Sequence, residues 1–256
     1  MELWTNYHLK TLLPAFILMI IAGVILRIFL GKKQEKTRLI PFQICAVIIV
    51  ILEIIKQIKS LSEGYDLYHI PLHFCSLFIF MLPITAFYNG KYKDNVRAIT
   101  SAICGALFLL MSIYPALIYN SNIGETYKNF FTFHTVYFHL IATFTFVLMI
   151  ALDLHSPATK KDLISIVIFI AVYCVIAGVT AQILETNFNN FYQCNVPPLE
   201  NIRLSIMEKL GRPLTQTIYV IIVTILDLGF VTGSYFFYKF LRFLTHKIEK
   251  KLSKTI

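Results

Sequence analysis

Long apolar runs broken by short polar intervals dominate the chain. Seven runs approach the ~20 residues that a helix needs to cross the hydrocarbon core of a bilayer. They predict spans at 11–30, 40–58, 70–88, 97–119, 131–152, 163–184 and 216–240. The intervals are short except for 185–215, which is rich in asparagine and contains Pro197 and Pro198. This interval is expected to be either a partly ordered cap over one mouth of the bundle or a plain linker. No internal repeat or low-complexity tract interrupts the pattern, so residues 1–256 are predicted to form a single all-α transmembrane bundle. Gly229 and Gly233 form a GxxxG pair in the last run, a spacing that most often marks close helix packing.

Composition narrows the class. A hydrophobic fraction of 57%, charged residues at 14% and a mean hydropathy of +0.69 are far from the soluble norm. The net charge of +9 would suggest nucleic acid in a soluble chain. Here the basic residues sit mostly between the runs, and a nucleic-acid partner is not expected. Fifteen of them fall on one side: Lys32 to Arg38, Lys91 to Arg97, Lys160 and Lys161, and the tail from Lys239 to Lys254. Seven fall on the other side. The positive-inside rule then predicts an outside N-terminus, a cytoplasmic C-terminus and a multi-pass protein of the cell membrane. The basic tail is expected to rest on anionic headgroups. Only Lys10 precedes the first run, without a small-residue cleavage site, which predicts a retained span rather than a signal peptide. The five cysteines show no CxxC spacing, and neither a zinc knuckle nor a disulfide framework is indicated.

Polar side chains inside the runs carry the functional signal, because polar groups in hydrocarbon are costly. Glu53, Lys56, His73, Cys75, His134, His139, Gln182 and Glu185 lie on four runs, each in the half predicted to face outward. A shared depth predicts a shared cavity. If the third run is helical from its start, Pro71 suits its first turn and Cys75 lies one turn inside the N-terminus, where the helix dipole favours a thiolate. His73 is then about 200° away from Cys75 on the helix and is not its base. His134, at comparable depth on another helix, is the candidate partner for an activated nucleophile. His139 lies about 140° around from His134, which excludes a two-histidine metal clip there. His69 and His73 have the i, i+4 spacing of such a clip, which leaves a metal as the minor alternative; no cofactor is expected. Glu53 and Lys56, three apart, suit a mutually neutralising pair. Gln182 and Glu185 offer amide and carboxylate groups to a headgroup or form a helix end. Asp227 lies deep in the last run without a partner in its own helix. The middle of that run contains no lysine, which disfavours a retinal protein.

Four segments then carry a resemblance: Leu72-His73-Phe74-Cys75-Ser76, Tyr114-Pro115, Phe133-His134 through His139, and 187–198. They resemble the YwaF family of bacterial integral membrane proteins, which is related to the eukaryotic transmembrane protein 164 family of phospholipid acyltransferases. More distant relatives are hydrolases of fatty-acid esters. The resemblance implies Cys75 as acyl-accepting nucleophile and His134 as its partner; the distant hydrolases have threonine at the cysteine position. His73, His139, Glu53, Lys56, Gln182 and Glu185 are expected to bind substrate. The reading is a seven-helix membrane protein acting on the acyl chains of membrane phospholipids, as acyltransferase or hydrolase. The alternative is a transporter or sensor of a small solute or ion that uses the same cavity.

Overall fold

The computed structural model describes residues 3–118 and 123–252. They form α1 (Asn6–Leu30), α2 (Glu35–Ser62), α3 (Leu77–Phe87), α4 (Lys93–Ile113), α5 (Ile123–Lys128), α6 (Phe130–Ala151), α7 (Thr159–Leu184), α8 (Pro197–Leu210) and α9 (Arg212–Leu252). Among the described residues there is no strand. Six helices, α1, α2, α4, α6, α7 and α9, are long and apolar enough to cross a membrane. They coincide with six of the predicted runs. The predicted end of the fourth run, Tyr119, lies outside the described residues.

The third run differs from its expectation. Instead of a helix from Ile70, the chain forms two 3-10 turns, Leu67–His69 and Phe74–Ser76, before α3 begins at Leu77. Eleven residues of α3 rise only ~16 Å, about half the hydrocarbon thickness. The last run also differs, because α9 continues as one 41-residue helix to Leu252.

At the centre of the bundle α4 contacts α3, α6, α7 and α9. It is the most enclosed helix, with 67% of its apolar span buried against 11% for α1. Small residues permit this. At Gly105 an added Cβ would lie 3.0 Å from Phe146 and 3.2 Å from the Ser234 carbonyl oxygen. The Ser234 hydroxyl donates to the Ala102 carbonyl at 2.5 Å across the same contact. Gly229 and Gly233, in contrast, face open space within this chain, so they do not serve its internal packing. The surfaces of α1, α2, α7 and α9 turned away from the bundle carry exposed Ile, Leu, Val and Phe side chains, as a lipid-facing surface requires.

At one end, the last carbonyls of α6 and the connection after it gather arginines from three other helices. Arg27 donates to Ile150 and Ala151 (3.2 and 2.7 Å), Arg38 to Leu152 (2.7 Å) and Arg97 to Leu154 (2.8 Å). A helix C-terminus leaves carbonyls unpaired and carries partial negative charge, and the guanidinium groups satisfy both. Asp153, in a left-handed conformation at φ 54°, pairs with Arg242 at 2.6 Å and with His246 at 3.2 Å. Burial pushes its carboxyl up, and these partners outweigh that and hold it below the ordinary carboxylate range. Lys239 donates to Thr159 at 2.7 Å. Part of the basic tail therefore binds the protein itself.

Candidate functional site

The opposite end of the bundle opens into a cavity of about 740 Å³. Glu53 and Lys56 of α2, the turns containing His69, His73 and Cys75, His134 and His139 of α6, and Asp227 of α9 all line it. Six of the eight predicted site residues thus share one space. Leu107, Leu110, Phe138, Leu226, Phe230 and Val231 add apolar surface to its wall.

Non-helical backbone at this depth needs partners for its polar groups, and other elements provide them. Gln57 donates to the His69 carbonyl (2.8 Å) and accepts from the Tyr65 hydroxyl (2.9 Å). Ser60 bonds His69 Nδ1 at 2.6 Å, and Tyr173 of α7 donates to the Leu72 carbonyl at 3.0 Å. His73 Nε2 donates to the Tyr68 carbonyl at 3.0 Å, so in the neutral ring Nδ1 is the acceptor. Both His69 and His73 are thereby engaged by protein groups and do not stand one turn apart on a helix, so the i, i+4 spacing behind the minor alternative of a two-histidine clip is not realised. The expectation that Pro71 opens a helix with Cys75 one turn inside fails for the same reason: Cys75 sits in the 3-10 turn that precedes α3.

The acid–base groups converge from α2 and α6. Glu53 is buried, with Oε1 paired to Lys56 Nζ at 2.8 Å and accepting from Gln57 Nε2 at 2.7 Å. Glu53 Oε2 lies 3.5 Å from His134 Nε2, an ion-pair separation without hydrogen-bond geometry. The expected Glu53–Lys56 pair is therefore present and extends to the imidazole. His139 Nδ1 donates to the Thr135 carbonyl one turn back at 2.6 Å, which leaves Nε2 as the acceptor of its neutral ring. Cys75 and His134 line the same cavity, but no hydrogen bond joins them among the described residues. Such contacts are commonly long without substrate.

The second irregular wall is the loop after α7. Glu185 caps α7 in a left-handed conformation, and Asn189 and Asn190 repeat that conformation at φ 49° and 61°. Asparagine tolerates this region better than other non-glycine residues. The loop turns back into the bundle, burying Phe188 and Phe191 and bringing Asn187, Asn189, Asn190 and Asn195 to the cavity. It is held by Asn189 Nδ2 donating to Asp227 Oδ2 (2.6 Å), by Tyr219 donating to the Asn190 carbonyl (2.6 Å) and by Gln216 donating to the Tyr192 carbonyl (2.7 Å). Phe188 meets the His73 ring edge-on at 5.5 Å, joining the two irregular walls.

Gln182 and Glu185, expected to bind substrate, are not among the residues lining the cavity. Gln182 donates to the Phe191 carbonyl at 2.8 Å, and Glu185 pairs with Arg212 at 3.0 Å on the surface. Their place is in holding the loop. Conversely, the sequence carries no expectation for Gln57 or Tyr68, only that of a cap or linker for the asparagine-rich interval, and for Asp227 no partner within its own helix. Tandem asparagines beside a deep carboxylate were the available signal, but the pairing spans thirty-eight positions.

Neither a curated protein nor a solved structure matches the chain. A family model matches residues 3–240, nearly the whole length, and in agreement with the six apolar helices this multi-pass membrane protein belongs to the TMEM164 family.

Proposed function

We propose that the protein is a lipid acyl-chain enzyme, acyltransferase or hydrolase, that uses Cys75 and His134 in this cavity. The observation that carries the reading is one cavity lined by a thiol, four imidazoles and a buried Glu53–Lys56 pair together with the apolar side chains of Leu107, Leu110, Phe138, Leu226, Phe230 and Val231. An amphiphile with a polar ester region and a long chain matches that mixed lining. His134 accepts the Cys75 proton and the thiolate attacks the ester carbonyl, forming the C–S bond. The C–O bond then breaks, and His134 returns the proton to the leaving alcohol. A hydroxyl group of a second lipid, or water, attacks the thioester with His134 as base, and the thiol is restored. Lys56 would hold the developing oxyanion or the headgroup, and the acceptor nitrogen of His73 would take a hydrogen bond from a headgroup donor. Glu53 is placed to orient His134 and support its positive form.

A transporter reading requires a path to the other end of the bundle. Beyond the cavity floor Phe108 meets Phe146 at 5.0 Å and Phe237 at 6.3 Å, and Phe146 stacks on Phe237 at 6.0 Å. This packing favours the enzyme reading over a conduit.

The test is capture of the acyl-enzyme. Purified protein in lipid nanodiscs, given phospholipid with a labelled acyl chain, is expected to carry label that neutral hydroxylamine releases and that maps to the peptide containing Cys75. Folded protein that turns over no member of a phospholipid panel would remove the enzyme reading and put transport or sensing first.

We also propose that the chain lies in the cell membrane with α3 and its unwound entry as a third traversal, the N-terminus outside and the C-terminus cytoplasmic. The excess of basic residues at the end remote from the cavity supports this. A reporter fused after Ile256 should be active in the cytoplasm, and one inserted between Gln193 and Asn195 should be active outside. Reversed signals would place the cavity on the cytoplasmic face.

A further inference from the structure

The helix α8 has three distinct sides. Glu200, Arg203 and Met207 face the protein: Arg203 holds Glu200 at 2.5 Å and Gln216 at 2.8 Å, and its guanidinium lies 5.5 Å from the centre of the Tyr219 ring. Asn201, Ser205 and Glu208 are polar and exposed. The third side carries Leu199, Ile202, Ile206 and Leu210, spaced i, i+3, i+7 and i+11 and therefore within about 80° of one another on a helix. They are 55, 56, 40 and 50% exposed, and no residue of α8 is buried.

We infer that this apolar side is embedded at the headgroup–acyl boundary of the leaflet on the cavity side, making α8 a membrane-interface helix that carries the cavity loop. The occupant is lipid because the stripe continues an existing lipid-facing surface. Only Gly211, at φ 79°, separates α8 from α9, whose exposed Leu214, Ile218 and Ile221 extend the apolar surface into the span. The depth follows from length: α9 is 41 residues long and rises ~61 Å against a core of ~30 Å, so its first turns, on which α8 packs, stand at the boundary. The two acidic residues of α8 balance its Arg203 and Lys209, so apolar burial and not attraction to anionic lipid holds it there. Glu200 accepts from the Cys194 amide at 2.8 Å, which ties this anchor to the loop lining the cavity. The loop is thereby held at the level where lipid headgroups lie. The inference is independent of any acyl chemistry.

The chain contains one tryptophan, Trp4, which makes fluorescence depth measurement direct. Ile202→Trp and Ser205→Trp are each made in the full chain with Trp4→Phe and reconstituted in phosphatidylcholine vesicles. The lipid is brominated near the headgroup or near the chain end, and iodide serves as aqueous quencher. The indole of Ile202→Trp is expected to be quenched roughly threefold more by the shallow bromolipid than that of Ser205→Trp, with the order reversed for iodide. Equal quenching of both by iodide would overturn the inference, as would strongest quenching of Ile202→Trp by the deep bromolipid. Protection of Ile202→Trp from both quenchers together with a dimer on size exclusion would also overturn it, by assigning the face to a second copy. If Trp4→Phe lowers the folded yield, the same comparison holds with Trp4 retained and the parent signal subtracted.

Discussion

Cys75→Ser is expected to lower acyl turnover on the order of a thousandfold or more while the protein still elutes as a folded species in detergent. Serine keeps nearly the volume of cysteine, and Cys75 lies in a turn at the cavity wall, so the substitution opens no cavity in the core. His134→Gln should lower turnover about 100- to 10,000-fold, because glutamine keeps the bulk and a donor toward Glu53 but accepts no proton. His139→Gln is the control. Its Nδ1 bonds the Thr135 carbonyl of its own helix, whereas it is His134 that faces Glu53, so a modest loss is expected. Full turnover by Cys75→Ser would make the cysteine a structural thiol and move the search to Ser76 or Thr135. Loss with His139→Gln but not with His134→Gln would move the base one turn deeper.

Glu53→Gln is expected to cost folding as well as activity. Glu53 and Lys56 side chains are 8% and 13% exposed and 2.8 Å apart, so the neutral amide leaves Lys56 charged inside the membrane without its partner. Breaking a buried pair in this way costs about 3–5 kcal/mol, enough to lower the folded fraction in a thermal-unfolding series monitored by size exclusion. The double variant Glu53→Gln with Lys56→Met removes both charges and should recover most of that stability, since a buried pair is often no better than a neutral replacement. Turnover should stay low in the double variant, because the orientation of His134 and the cation of Lys56 are both gone. Recovery of turnover together with stability would reduce the pair to a structural role. A single variant as stable as the parent would mean that water reaches Lys56 freely.

The two irregular walls show where sequence reading meets its limit. Hydropathy alone makes 70–88 a span, and nothing within that run says that its first third is unwound. Unwinding at membrane depth depends on partners for the freed backbone, and these are Gln57 and Ser60 on α2 and Tyr173 on α7, up to about a hundred positions away. The same holds for the loop after α7. Its asparagines are visible as turn formers, but their inward fold follows from Asp227, Gln216 and Tyr219 on α9. Depth alone makes Gln182 and Glu185 candidate site members, and the same loop draws them into supporting it.

By itself the sequence determined that the chain is a helical membrane protein, the end of the bundle at which its polar groups collect, and the family to which it belongs. Each rests on position along a single helix or on short motifs, because the cost of a polar group in lipid depends on its depth and the helical rise converts residue number into depth. Only the tertiary structure decided that Glu53 faces His134 as well as Lys56, that the Cys75 segment is a pair of turns, and that an asparagine loop closes the cavity against Asp227. Those features depend on the rotation of each helix about its own axis and on hydrogen bonds between distant elements. Both are set by packing of the whole bundle, and neither leaves a periodic trace in the chain.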